Sequence, residues 1–158
     1  MNKIPMKRRE QLDTLQTHWL VPVSLNGQGP FLFALDTSRS RTLVSARTLE
    51  AVGFTVDWRD ESDSSVSISD KLLYPTLRLQ SIAIGDAVVS NFDVVAWGSP
   101  VIPKKILEEM REDAMYPLGE LPITAIESVL ECRGVIGIDY LSRFRVSLDF
   151  AAETVSFE

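Results

Sequence analysis

The sequence predicts an all-β chain, one small closed barrel with appended helices. Three observations carry this expectation. Apolar residues alternate with polar ones in short runs, at Trp19-Val21-Val23-Leu25, Leu77-Leu79, Ile82-Ile84 and Phe144-Val146-Leu148-Phe150, which is the period of a half-buried strand. Turn residues separate these runs, notably Asn26-Gly27-Gln28-Gly29 and Gly85-Asp86. The strands so marked are short and mostly hairpin-linked, as in small barrels.

The 158 residues most simply form one domain, and 45% hydrophobic content is that of a folded globular chain. Sixteen basic against 22 acidic residues give a net charge of −6. With no basic run beyond Lys7-Arg8-Arg9, no nucleic-acid partner is expected. No apolar stretch approaches the ~20 residues that span a bilayer, so no membrane association is expected. Residues 1–18 read as a polar N-terminal arm without the apolar core of a secretory signal, and with Met1 as the start the expected compartment is the cytoplasm. Cys132 is the only cysteine and His18 the only histidine. One of each cannot build a His/Cys zinc site, and a Ser-His or Cys-His pair would have to use His18, which reads as a surface residue. No Gly-rich phosphate loop is present. Neither metal nor cofactor is expected, and carboxylates and hydroxyls are the main chemical means left.

In chain order, the first strand runs from Trp19 to Leu25, and the Asn26–Gly29 turn returns it into Phe31-Leu32-Phe33-Ala34-Leu35. That run is apolar on both faces and therefore central to a sheet. After a loop over Asp36–Arg41 comes a short strand, Thr42-Leu43-Val44. Ser45 then caps a helix carrying Ala46, Leu49 and Val52, stopped by Gly53. Phe54 to Trp58 reads as a further strand. Residues 57–71 hold five acidic and two basic residues and several serines. Val66 and Ile68 alternate with serines there, which fits an exposed hairpin and equally a surface loop. The alternation at Leu77-Leu79 and Ile82-Ile84 changes phase near Gln80-Ser81, as at a β-bulge, and Val88 to Ala96 forms the partner strand. Pro103 and Pro122 can each open a helix, so 98–133 reads as a helical insertion with a net charge of −3. The last strands follow Gly134-Val135-Ile136-Gly137.

Asp36 follows five apolar residues and precedes Thr37 and Ser38. A carboxylate there must be hydrogen-bonded, paired or protonated, because bare burial of its charge is prohibitive. Two readings stay open on the local segment: a turn-capping Asp, and an active-site carboxylate.

Two stretches taken together resemble the retropepsin-like aspartic proteases. The first is Val21-Pro22-Val23-Ser24-Leu25-Asn26-Gly27 through Asp36-Thr37-Ser38 and Leu43-Val44-Ser45 to the helix ending at Gly53. The second is Gly134-Val135-Ile136-Gly137-Ile138-Asp139-Tyr140-Leu141 with Phe144-Arg145-Val146-Ser147-Leu148-Asp149-Phe150. Leu77 to Ala96 resembles the family's middle hairpin. The resemblance implies a barrel domain over 19–158 and an endopeptidase without cofactor. It implies catalytic roles for Asp36, Thr37 and Ser38, with Thr37 bonding across a two-fold axis. It also implies a substrate-binding set of Arg39, Val66, Ile68, Val135, Ile136 and Gly137, the last three packing behind the catalytic loop. One chain offers one such Asp, so the implied enzyme is a homodimer acting on a peptide or protein. Two carboxylates held close share one proton, and can take a proton from water while giving one to the carbonyl.

Three departures from the family pattern stand beside this. Ser38 replaces the commoner Gly, Arg39 stands where a small residue usually follows, and the expected flap within 60–76 has no glycine. They motivate a second reading, a catalytically inactive dimeric binding or scaffold domain of the same fold. An unrelated ligand-binding barrel is a third.

Overall fold

The computed structural model describes residues 2–11, 16–56, 66–69, 72–97 and 132–158. The expected insertion over 98–133 lies outside them except for its last two residues. A barrel of six strands organises the rest. β3 (Gln16–Leu25), β4 (Gln28–Leu35), β10 (Gly134–Ile136), β5 (Leu43–Ser45), β9 (Ala87–Trp97) and β8 (Thr76–Ile84) neighbour one another in that order. Pairing of β3 with β8 closes the ring, so the expected closed barrel is the fold observed.

Local chemistry explains the hairpins. Asn26 (φ +49°) and Gly27 (φ +74°) form the two-residue loop between Leu25 and Gln28, with both central residues in the left-handed region that Asn-Gly tolerates. Gly85 and Asp86 form a second two-residue loop between Ile84 and Ala87, with only Gly85 (φ +57°) in the left-handed region. Helix α1 (Ala46–Ala51) begins where Ser45 Oγ accepts from Thr48 N–H at 3.2 Å. It ends with Gly53 at φ +97°, Gly53 N–H donating to Glu50 O and Phe54 N–H to Leu49 O. That cap consumes Phe54, and Phe54–Val56 is irregular where a strand was expected.

β4 is central, as its apolar run predicts, with β3 on one side and β10 on the other. Phe33 enters the main core with Val21, Val23, Val44, Val94 and Ile136. Ala34 faces a second cluster of Leu20, Leu43, Val95, Trp97, Cys132 and Val135. The lone thiol is therefore buried.

Three further expectations change. Residues 4–5 and 7–11 are strand, not arm. β1 (Ile4–Pro5) pairs with β12 (Thr154–Phe157), β2 (Lys7–Gln11) pairs with β3, and Ile4 and Met6 are core residues. Two apolar residues among polar ones are too few to show a period, and the chain's far end supplies the pairing. His18 on β3, opposite Arg9 on β2, is half-buried, and its Nε2 is enclosed without a hydrogen-bond partner among the described residues. Third, the phase change near Gln80 is real but is no bulge. Buried positions shift from Leu79 to Ile82 on β8 and from Ala87 to Phe92 on β9. The register is the same on both sides, Leu79 facing Phe92 and Ser81 facing Ser90. Both strands turn over together, with Asn91 at φ +52° taking the bend.

β11 (Val146–Asp149) pairs with β12, in a sheet ordered β1-β12-β11. Helix α2 (Ile138–Leu141) precedes it and carries Tyr140 into the core. Tyr140 Oη donates to Ala87 O at 2.5 Å and accepts from Ile84 N–H at 3.2 Å, tying α2 to the β8–β9 turn. Burial raises the phenol's pKa above its ordinary value of 10.0.

Tyr140→Phe removes the hydroxyl that serves both Ala87 O and Ile84 N–H in the core, and the expected loss is about 1–3 kcal/mol in a urea titration at pH 7. Because the folded state resists ionisation of this phenol, its contribution is complete below about pH 10 and is lost as pH rises further. The variant should lose that part of the alkaline slope; an unchanged slope refutes the assignment.

Candidate active site

The loop after β4 follows from two neighbouring strands. β10 runs parallel to β4, with Ile136 beside Leu35, and Asp36 N–H extends the ladder to Ile136 O at 3.1 Å. The chain then turns sharply. Asp36 Oδ1 accepts from Ser38 N–H at 2.9 Å and Ser38 Oγ–H at 2.5 Å, and Arg39 N–H donates to Asp36 O at 3.3 Å. The second oxygen, Oδ2, lies 3.5 Å from Arg39 Nε. Asp36 thus meets the requirement set by its place: one oxygen is hydrogen-bonded, the other faces a cation, and 36% of the side chain is open. Thr37 and Ser38 are exposed, and Thr37 makes no side-chain hydrogen bond among the described residues.

The loop is fixed from behind by the turn that leads into α2. Ile138 N–H donates to Arg39 O at 2.8 Å and Asp139 N–H to Ser40 O at 3.2 Å. Thr42 Oγ1 accepts from Gly137 N–H at 3.1 Å and donates to Asp139 Oδ1 at 2.7 Å, while Thr42 N–H reaches Asp139 Oδ2 at 3.0 Å. Asp139 also accepts from Tyr140 N–H at 2.9 Å and pairs with Arg41 at 3.6 Å. A Cβ on Gly137 would lie 2.7 Å from the carbonyl carbon and oxygen of Arg41 and 3.0 Å from Arg39 O. Glycine is needed here because two backbones occupy the space a side chain would take.

Asp36, Thr37, Ser38 and Arg39 share one loop. Val135 and Ile136 are 3% and 0% exposed, so the expectation that they contact substrate is corrected. A strand buried on both faces points its side chains into the two cores, and these residues act by supporting the loop. Gly137 is likewise buried against the loop backbone. Val66 and Ile68 fall on β6 (Val66–Ser69), which pairs with β7 (Leu72–Tyr74) as a hairpin at the place expected for the flap. Sequence reasoning gave no role to Thr42 or Asp139. The available signal was an acidic residue in the first turn of a helix whose cap, Gly137, has no side chain to offer.

Beside Thr37 lies a largely apolar groove of about 290 Å³, lined in part by Leu35, Ile138, Phe144, Val146 and Leu148. Ile138 and Leu148 are exposed, as is Phe150, which packs on Trp19. The strict alternation of this strand therefore leaves half its apolar stripe uncovered in one chain.

A closed barrel in which a parallel β4–β10 pair carries an Asp-bearing loop is the retropepsin-like fold, and solved structures agree. A retropepsin-like aspartic protease from Rickettsia conorii superposes with a TM-score of 0.53 at 14% identity, over 99% of this chain and 96% of that one. The retroviral protease-like domain of Ddi1 from Leishmania major superposes with a TM-score of 0.51 at 14% identity, over 88% and 86%. No curated protein matches in sequence. The family model described as aspartyl protease matches residues 21–110, more than half of the chain. The chain belongs to the aspartyl protease family.

Gly137→Ala forces the Arg39–Arg41 backbone to move, and a loss of about 1–3 kcal/mol is expected in chemical denaturation. Faster amide exchange at Arg39–Thr42 should accompany it. Unchanged exchange there, with unchanged stability, would show that the turn does not hold the loop.

Proposed function

We propose that this chain is an aspartic endopeptidase that works in the cytoplasm as a homodimer, cleaving an extended peptide or protein substrate. The observation that carries the reading is Asp36: a part-exposed carboxylate on a loop clamped by Ser38 in front and by the Gly137–Asp139 turn behind. Two copies brought face to face set Asp36 beside its counterpart. One carboxylate is then ionised and takes a proton from water, and the other is protonated and gives one to the scissile carbonyl. This sharing is the property for which aspartic proteases are the standard example. Ser38 fixes the orientation of each carboxylate, and the exposed Thr37 hydroxyl is free to bond across the axis.

The partner's place is supported by the groove beside Thr37 and by β11, which has β12 on one side only among the described residues. An edge strand with exposed Leu148 and a neighbouring Ile138 favours pairing with a second copy. The β6–β7 hairpin is the element assigned to hold substrate, whose backbone pairs in strand fashion. No helix among the described residues is long and apolar enough to cross a membrane.

One observation favours the alternative, a catalytically inactive dimeric binding or scaffold domain: the Arg39 guanidinium occupies the space beside Asp36 Oδ2. Asp36→Asn separates the two readings. For the enzyme, cleavage of a diverse peptide library falls at least about a thousandfold with the denaturation midpoint unchanged; equal cleavage by both proteins, or none by the parent, refutes it. Leu148→Lys tests the surface. It should shift the protein toward monomer in analytical ultracentrifugation and make cleavage steeply dependent on protein concentration; an unaltered dimer places the interface elsewhere.

A further inference from the structure

Arg39 is held over the candidate catalytic carboxylate by its own backbone. Its carbonyl accepts from Ile138 N–H and its N–H donates to Asp36 O, while Gly137 backs directly against Arg39 O. Resting on the endopeptidase reading above, we infer that Arg39 selects substrates carrying a carboxylate side chain within about two residues of the scissile bond.

Three considerations lead there. The Arg39–Asp36 pair is weak in its observed form: the side chains are 31% and 36% exposed and 3.5 Å apart, beyond a good charge-assisted hydrogen bond. Among the described residues Asp36 is the only acidic partner of Arg39, and it meets Nε. The fork of terminal N–H groups is left to grip a second carboxylate in two-pronged fashion.

Charge balance points the same way. A dyad sharing one proton carries one negative charge, whereas two guanidiniums carry two positive ones. The centre of the cleft is then positive although the chain carries −6 overall. The neighbouring cation, Arg41, is already held by Asp139 at 3.6 Å and also faces Asp93, so of these two loop cations Arg39 is the one left to meet a substrate.

Reach sets the position. A carboxylate gripped at about 3 Å from the guanidinium lies within about 7 Å of Asp36. Along an extended peptide that is about two residues, at roughly 3.3 Å each.

The test uses a pair of peptides with a statine-type transition-state mimic at the centre, identical except for Glu or Gln two residues from it. The mimic fixes the register, so affinity is read without turnover. The parent protein should bind the Glu peptide about tenfold tighter or more. Arg39→Gln should bring the ratio near one, and Arg39→Lys, which keeps the charge but loses the fork, should retain part of it. Equal affinities in the parent, or a ratio that survives in Arg39→Gln, overturns the inference while leaving the endopeptidase reading intact. Failure of the parent to bind either peptide overturns both.

Discussion

The site loop depends on a single hydroxyl. Thr42 Oγ1 accepts from Gly137 N–H and donates to Asp139, so one atom joins the end of the loop, the turn before α2 and a carboxylate. Asp139 then receives Thr42 N–H, Tyr140 N–H and the Arg41 cation. Such charge-assisted bonds have little slack, and each fixes the donor of the next. Through Ile138 and Asp139 N–H the same turn also holds Arg39 and Ser40 by their carbonyls. The position of Asp36 is therefore set less by its own strand than by residues about a hundred positions downstream.

What the sequence disclosed, and what it did not, follows the range of the forces involved. Asn26-Gly27, Gly85-Asp86, Ser45 and Gly53 were readable because each turn or cap is decided by its own few residues. The apolar run before Asp36 disclosed a central strand because burial on both faces removes alternation. The strands at 4–11 were not readable, since Ile4 and Met6 acquire their burial from β12. The turnover at Gln80 was visible as a change of phase, but one strand cannot reveal whether its neighbour turns with it. Within the site, Asp36 to Arg39 were legible as a local constellation. Thr42 and Asp139 matter only through each other, across a separation that pattern cannot bridge, and Val135 and Ile136 look alike in sequence whether they face a cleft or a core.

The exposed surface has an uneven character. Most of the apolar side chains that alternation identifies are covered, as Val21, Val23, Leu25, Ile82 and Ile84 are. Those of β11 and its flank are not: Leu148, Phe150 and Ile138 are open beside the loop that bears Asp36. Contiguous apolar surface of this kind is a common mark of an interaction site. The uncovered patch and the loop bearing Asp36 are adjacent, so in the proposed homodimer a single act of association would answer both.

The insertion of β10 between β4 and β5 has a consequence in time. β4 and β5 are both synthesised before β10, yet they do not pair with each other, and the slot between them stays open until residues 134–136 arrive. The loop carrying Asp36 has no backing until then, because every bond from Gly137, Ile138 and Asp139 comes with the same late segment. Closing so long a loop is slow relative to forming a hairpin. A ribosome-bound or truncated chain that lacks residues 134–139 can thus hold the Asp36-Thr37-Ser38 sequence without holding its geometry.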